Sequence, residues 1–307
     1  MPARRGTRRL FEHPAFQSLV LPLLLAFFGM AALRNVHGGR CALWGAALGL
    51  LGALAVLPGF QWPVEARQLK LPWVVLAGLA ATLLAHGCRR SLPGPGWVSS
   101  AALAGWAAAG LWLANGQASL PLLGAAAVIG WATLAQGVRY GGDAAPSDPL
   151  GLAVVLFMAA LGLAVLMAGG GSFLLAQLAL MLATAVGAAG AWAWWRPSSR
   201  TAAAAGVFLA VRLTWLSMAW CWVLGAPAPV EPHAMRAAVL VLAFAAPALA
   251  SRLCNVATAL HRRLLCVVLL AALPVVVALA WPGNAGLVRM PDTPQHQDDP
   301  YRTPSWR

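Results

Sequence analysis

Residues 201–224 read TAAAAGVFLAVRLTWLSMAWCWVL, an apolar stretch with one arginine, Arg212, at its middle. A hydrocarbon core of about 30 Å takes about 20 helical residues to cross, so this stretch has the length of a transmembrane helix. A charge near the bilayer midplane costs roughly 2.5 kcal/mol or more, and it persists there only with a partner or a purpose. No aspartate or glutamate lies inside any other apolar stretch of the chain.

Outward from this segment the same texture recurs. Of the 307 residues 61% are hydrophobic and only 9% are charged, a load that a soluble domain of this size cannot hide from water. The apolar runs predict an all-α, polytopic transmembrane bundle of about ten spanning helices: Phe16–Leu33, Cys41–Leu57, Leu71–Ala85, Trp97–Ala114, Leu120–Gly137, Leu150–Ala168, Ser172–Trp195, Thr201–Leu224, Met235–Ala250 and Leu264–Trp281. Helix is the reading that satisfies the backbone in lipid, and the ten-residue alternation of a barrel strand is absent. The third and ninth runs are short.

The loops are brief, so one domain is expected: a basic flank over residues 1–15, the bundle over 16–281 and a disordered tail over 282–307. Several of the 15 tryptophans stand at run ends, where indoles anchor at the interface. Gly45-x-x-x-Gly49, Gly105-x-x-x-Ala109 and Ala183-x-x-x-Gly187 put small residues one turn apart, where helix backbones can approach closely. Between Ser251 and Arg263, arginines interrupt leucine and valine at helical spacing, which predicts an interfacial helix before the last span.

The net charge of +13 is scattered through short loops, so lipid headgroups rather than nucleic acid are its expected counter-charge. Loops after odd-numbered runs carry Arg34, Arg40, Arg89, Arg90, Arg139, Arg196, Arg200, Arg252, Arg262 and Arg263. Those after even-numbered runs carry Arg67, Lys70 and Arg236. The positive-inside rule then puts the odd side in the cytoplasm and both termini outside, against the basic flank Arg4, Arg5, Arg8 and Arg9, which argues for the reverse. A multi-pass protein of the cell membrane, the bacterial inner membrane, is the expected location. Thr7-Arg8-Arg9 before the first run looks like a twin-arginine signal, yet no small-residue cleavage site follows, and an uncleaved helix is the reading.

The even side holds an internal echo. Pro63-Val64-Glu65 and Pro229-Val230-Glu231 lie 166 residues apart, and each is followed five residues on by a cation, Lys70 or Arg236, and then an apolar run. Glu65, Glu231 and His233 form a possible loop site, since a carboxylate and an imidazole within hydrogen-bond reach can do acid–base work. The plainer account is that both glutamates open helices, where negative charge suits the dipole. On the odd side, His37, Cys41, His86, Cys88, Cys254 and His261 supply nitrogen and sulfur but no metal-binding spacing, so neither metal nor cofactor is expected.

Arg212 has two readings. In one it binds an anionic or lipid-like solute together with Trp215, which can stack on a guanidinium, and Gln177, with Thr184, Thr133 and Gln136 as further neutral partners. In the other it snorkels to the interface and binds nothing. Function follows in three classes: a small transporter or permease-like protein, a non-catalytic subunit or assembly factor packing against a membrane-protein partner through small-residue faces, or a membrane enzyme acting on a lipid-linked substrate. Enzyme activity is the least expected, because no dense acidic, histidine or serine motif is present.

Overall fold

The computed structural model describes residues 13–64, 66–87, 96–116, 119, 122–124, 126–130, 149–196, 203–226, 230–253 and 260–281. Among them the fold is all-helical, with no strand. The helices are α1 (Phe16–His37), α2 (Trp44–Val56), α3 (Arg67–Gly87), α4 (Gly96–Ala114), α5 (Pro149–Gly169), α6 (Phe173–Trp195), α7 (Ala203–Gly225), α8 (Glu231–Leu253) and α9 (Leu260–Ala280). Six of the described helices are long and apolar enough to cross a membrane: α1, α5, α6, α7 over Val207–Gly225, α8 and α9. The protein is an integral membrane protein by that architecture. The 13 residues of α2 rise only about 20 Å as a helix, short of a full hydrocarbon core.

Most of the expected fifth run, Leu120–Gly137, lies outside the described residues, but 122–124 and 126–130 are helical. The basic flank is described only from residue 13 and the tail not at all. Two expectations are corrected. The third and ninth runs are not short helices: α3 begins at Arg67, ahead of its run, and carries Lys70 buried, and α8 spans Glu231 to Leu253, beyond both ends of its run, with Arg236 buried near its start. The interfacial helix over Ser251–Arg263 is not a separate element at its two ends. Ser251–Leu253 complete α8 and Leu260–Arg263 open α9; residues 254–259 lie outside the described set.

Helix α7 forms the centre. Of its most apolar window 89% is buried, against 22% in α1 and 28% in α9, whose outer faces carry Leu19, Leu23, Phe28, Leu265, Leu269 and Leu273 toward lipid. Around α7 stand α2, α3, α4, α5, α6 and α8. α5 and α6 form an antiparallel hairpin through Gly170 and Gly171, with Gly190 against Ala153 and Gly187 against the Phe157 ring. α1 and α2 approach closely. A Cβ on Gly45 would overlap the Gly29 and Met30 backbone, and one on Gly49 would lie 2.5 Å from Ala26 N. The Gly45/Gly49 pair is thus a backbone-on-backbone contact of the small-residue kind.

In α8 the chain tightens into a 3-10 turn at Leu242–Ala245, just before Pro247. Proline has no N–H to offer the preceding turn, and a local rearrangement of the ladder is the usual result. The turn carries Phe244, fully buried against α7.

The contacts at helix ends fix which ends share a side. Arg67 and Lys70 at the start of α3 reach the ends of α7 and α4, and Arg236 near the start of α8 reaches Trp281 after α9. Gly170, at the end of α5, lies against Trp222 near the end of α7.

Gly45→Ala is expected to destabilise the protein by about 1–3 kcal/mol, the usual cost of overpacking, since the obstructing atoms are backbone. Gly105→Ala, whose added Cβ would meet open space, is expected to stay within about 1 kcal/mol of the parent. Thermal unfolding in detergent checks both.

Candidate functional site

A helix leaves its last four carbonyls without intrahelical donors, and lipid cannot supply them. On the even side three cations do. Arg67 Nη1 donates to Leu224 O at 2.5 Å, at the end of α7. Lys70 Nζ donates to Trp112 O at 2.7 Å and to Asn115 Oδ1 at 2.9 Å, at the end of α4, and lies 5.3 Å from the Trp112 ring centroid. Asn115 takes a left-handed φ of 53° and Gly116 one of 73°, the turn by which helices commonly stop. Arg236 Nη2 donates to Trp281 O at 3.4 Å, after α9. Lys70 and Arg236, the two cations of the echo, therefore do the same work: each holds the carbonyl of a tryptophan at the C-terminal end of the next described helix. Both side chains are buried.

The loop residues of the possible acid–base site are less convergent. Glu231 is exposed as the first residue of α8. His233 is half-buried with its ring 5.1 Å from Trp222, edge to face. Glu65 lies outside the described residues. No group of three histidine, cysteine, aspartate or glutamate side chains suited to a metal ion occurs among the described residues.

Arg212 is 1% exposed, so it does not snorkel. Its guanidinium carbon stands 5.1 Å from the centroid of Phe244. Trp215 meets the same Phe244 ring, centroids 5.1 Å apart and planes at 88°. The aromatic partner of the cation is thus Phe244, and Trp215 is the neighbour of that partner. No sequence pattern points to this pairing, because Phe244 lies in another helix and is presented by the turn before Pro247. Nε and Nη2 of Arg212 and Nε1 of Trp215 are buried with no hydrogen-bond acceptor. Gln177 is half-buried near the start of α6. By helical rise it lies roughly 13 Å nearer the even side than Arg212, so the two are not level. Thr184, on the same helix, donates its hydroxyl to Leu180 O, while Thr133 and Gln136 lie outside the described residues.

Two cavities flank α7. The larger, about 460 Å³, is a groove between α3, α4 and α7 walled by Trp73, Trp106 and Trp112 and floored by Leu209, Leu213 and Ser217. Small residues, Ala77, Ala81, Gly105 and Ala108, are exposed along it. Its hydroxyls are turned to their own backbone: Thr82 donates to Gly78 O and Leu79 O at 2.9 Å, and Ser217 to Leu213 O at 2.8 Å. The smaller, about 70 Å³, lies between Trp106, Trp215, Trp220, the 122–130 stretch and α8. Trp106 lines both. Arg212 lines neither, but it leaves α7 on the side of Trp215 and Leu216, one turn toward the N-terminus.

No known protein family, curated protein or solved structure matches the chain. The groove and the residues behind it therefore carry the functional reading.

Lys70→Met removes two hydrogen bonds from a charged donor and strands the Trp112 carbonyl. A loss of about 1.5–3 kcal/mol in stability is expected, from what such bonds contribute. Lys70→Arg should recover part of it in the same unfolding measurement.

Proposed function

We propose that this protein is a small permease-like carrier for an anionic, lipid-like solute, taken up sideways from the bilayer into the groove between α3, α4 and α7. The observation that carries the proposal is the groove itself. Its volume of about 460 Å³ falls among small-molecule sites, its walls are indole and alkyl, and alanine and glycine leave its lips open at the lipid-facing edge. Such a cleft suits an apolar chain. The anionic end is assigned to Arg212 with Trp215, behind the groove, and Gln177 to the path toward the even side. Transport in a bilayer needs no soluble mass.

A second reading has its own support: Gly105 meets no neighbouring atom within 4 Å of an added Cβ, so the same edge suits a partner helix, as for a non-catalytic subunit or assembly factor. An enzyme acting on a lipid-linked substrate at Glu65, Glu231 and His233 is the weakest of the three, since Glu231 is exposed and His233 is packed on Trp222.

Ten crossings of a bacterial inner membrane form part of the proposal. The end of α4 and the end of α5 both lie on the even side and α5 begins on the odd side, which the proposal meets with one crossing between α4 and α5. The partly described helix at 122–130 supports that crossing: Trp106 donates to Ala126 O at 3.2 Å and packs on Gly130.

Single cysteines at positions 117 and 147 of an otherwise cysteine-free chain should be labelled by a membrane-impermeant maleimide from opposite sides; labelling from one side removes the tenth crossing. In proteoliposomes, Arg212→Gln and Arg212→Leu are each expected to slow uptake of a long-chain carboxylate at least tenfold while eluting as folded protein. Parental uptake by both variants ends the carrier reading.

A further inference from the structure

We infer that the inner cavity of about 70 Å³ is the head-group compartment of the solute site, that the Trp215 indole N–H is its hydrogen-bond donor, and that Trp106 is the partition separating it from the groove. The inference rests on the groove reading above and names the solute class: a single-chain amphiphile ending in a carboxylate.

Three indoles bound the inner cavity, and their N–H groups differ. Trp106 Nε1 donates to Ala126 O at 3.2 Å and Trp220 Nε1 to Gly110 O at 3.1 Å. Trp215 is fully buried, and its Nε1 has no acceptor. A buried donor left unmade is rare in folded proteins and calls for an explanation such as an absent ligand. The cavity wall is otherwise apolar, so what enters has to bring the acceptor with it. Phe244, edge to face with Trp215, fixes the indole from behind, and Arg212 stands one turn away on the same side of α7. The surroundings favour an anionic acceptor over a neutral one.

Size narrows the head. A space of about 70 Å³ is well above the roughly 10–15 Å³ that admits a single water, and it suits a compact head. A carboxylate with its first methylenes is such a head. The chain beyond them needs a second, longer space, and the groove lies on the other side of one residue. Trp106 lines both cavities; its indole rests on Gly130, where any Cβ would overlap the ring. Swinging that ring joins the two spaces into one chamber with a small polar end and a long apolar one.

Two photoreactive palmitates test this on the full chain in nanodiscs, one carrying a diazirine beside the carboxylate and the other at the chain end. The expected result is saturable labelling of α7 and α8 peptides by the first and of α3 and α4 peptides by the second. Trp215→Phe, which removes only the N–H donor and part of the ring, is expected to weaken palmitate at least tenfold and hexadecanol less than threefold. If both probes label α3 and α4 alone, or if Trp215→Phe leaves palmitate affinity within twofold, the inner compartment is wrong while the groove reading stands. Absence of saturable labelling in α3, α4 and α7 overturns both.

Discussion

Hydrocarbon offers neither donors nor acceptors, so the polar atoms that this chain carries into its helical interior depend on partners supplied by the protein or by what it binds. That constraint explains how the few even-side cations are used. Arg67, Lys70 and Arg236 are drawn inward and tie the starts of α3 and α8 to the ends of α7, α4 and α9. Each contact joins a positive charge to the negative end of a helix dipole, so Coulomb attraction and hydrogen bonding act together. On the odd side Arg196, Arg252 and Arg262 are exposed, as expected of charges that meet headgroups. The asymmetry between the sides is therefore one of employment as well as of number.

Small residues solve the complementary problem of bringing backbones together without a hydrophobic driving force between helices. Where two glycine-bearing faces meet, as in α1 and α2, dispersion contacts run along the backbone itself. Where such a face meets no helix among the described residues, as along Ala77, Gly105 and Ala108, it leaves a groove. One composition thus produces both a close backbone contact and an open groove.

Much of the fold was legible because length and hydropathy decide helices in lipid. Leu150–Ala168 and Ser172–Trp195 correspond closely to α5 and α6. Hydropathy failed where a charge is buried: it began the third run only after Lys70, treating as solvent-facing a cation that is held by a carbonyl of the next described helix. The Gly45/Gly49 spacing was informative and the Gly105/Ala109 spacing was not, since periodicity shows that a face is small but not what lies opposite. Arg212 stood out in the sequence, whereas Phe244, the ring it stacks on, is 32 residues away and needs the tertiary fold to be seen. The groove has no sequence signature at all, being made of the residues that are commonest here.

Lys70 is the only lysine in the chain, and it is 3% exposed. Folded protein consequently presents no accessible side-chain primary amine, so amine-directed chemistry, from activated-ester immobilisation to aldehyde crosslinking, is confined to the α-amino group. Trypsin likewise depends entirely on arginine sites in this polypeptide while the helices remain assembled.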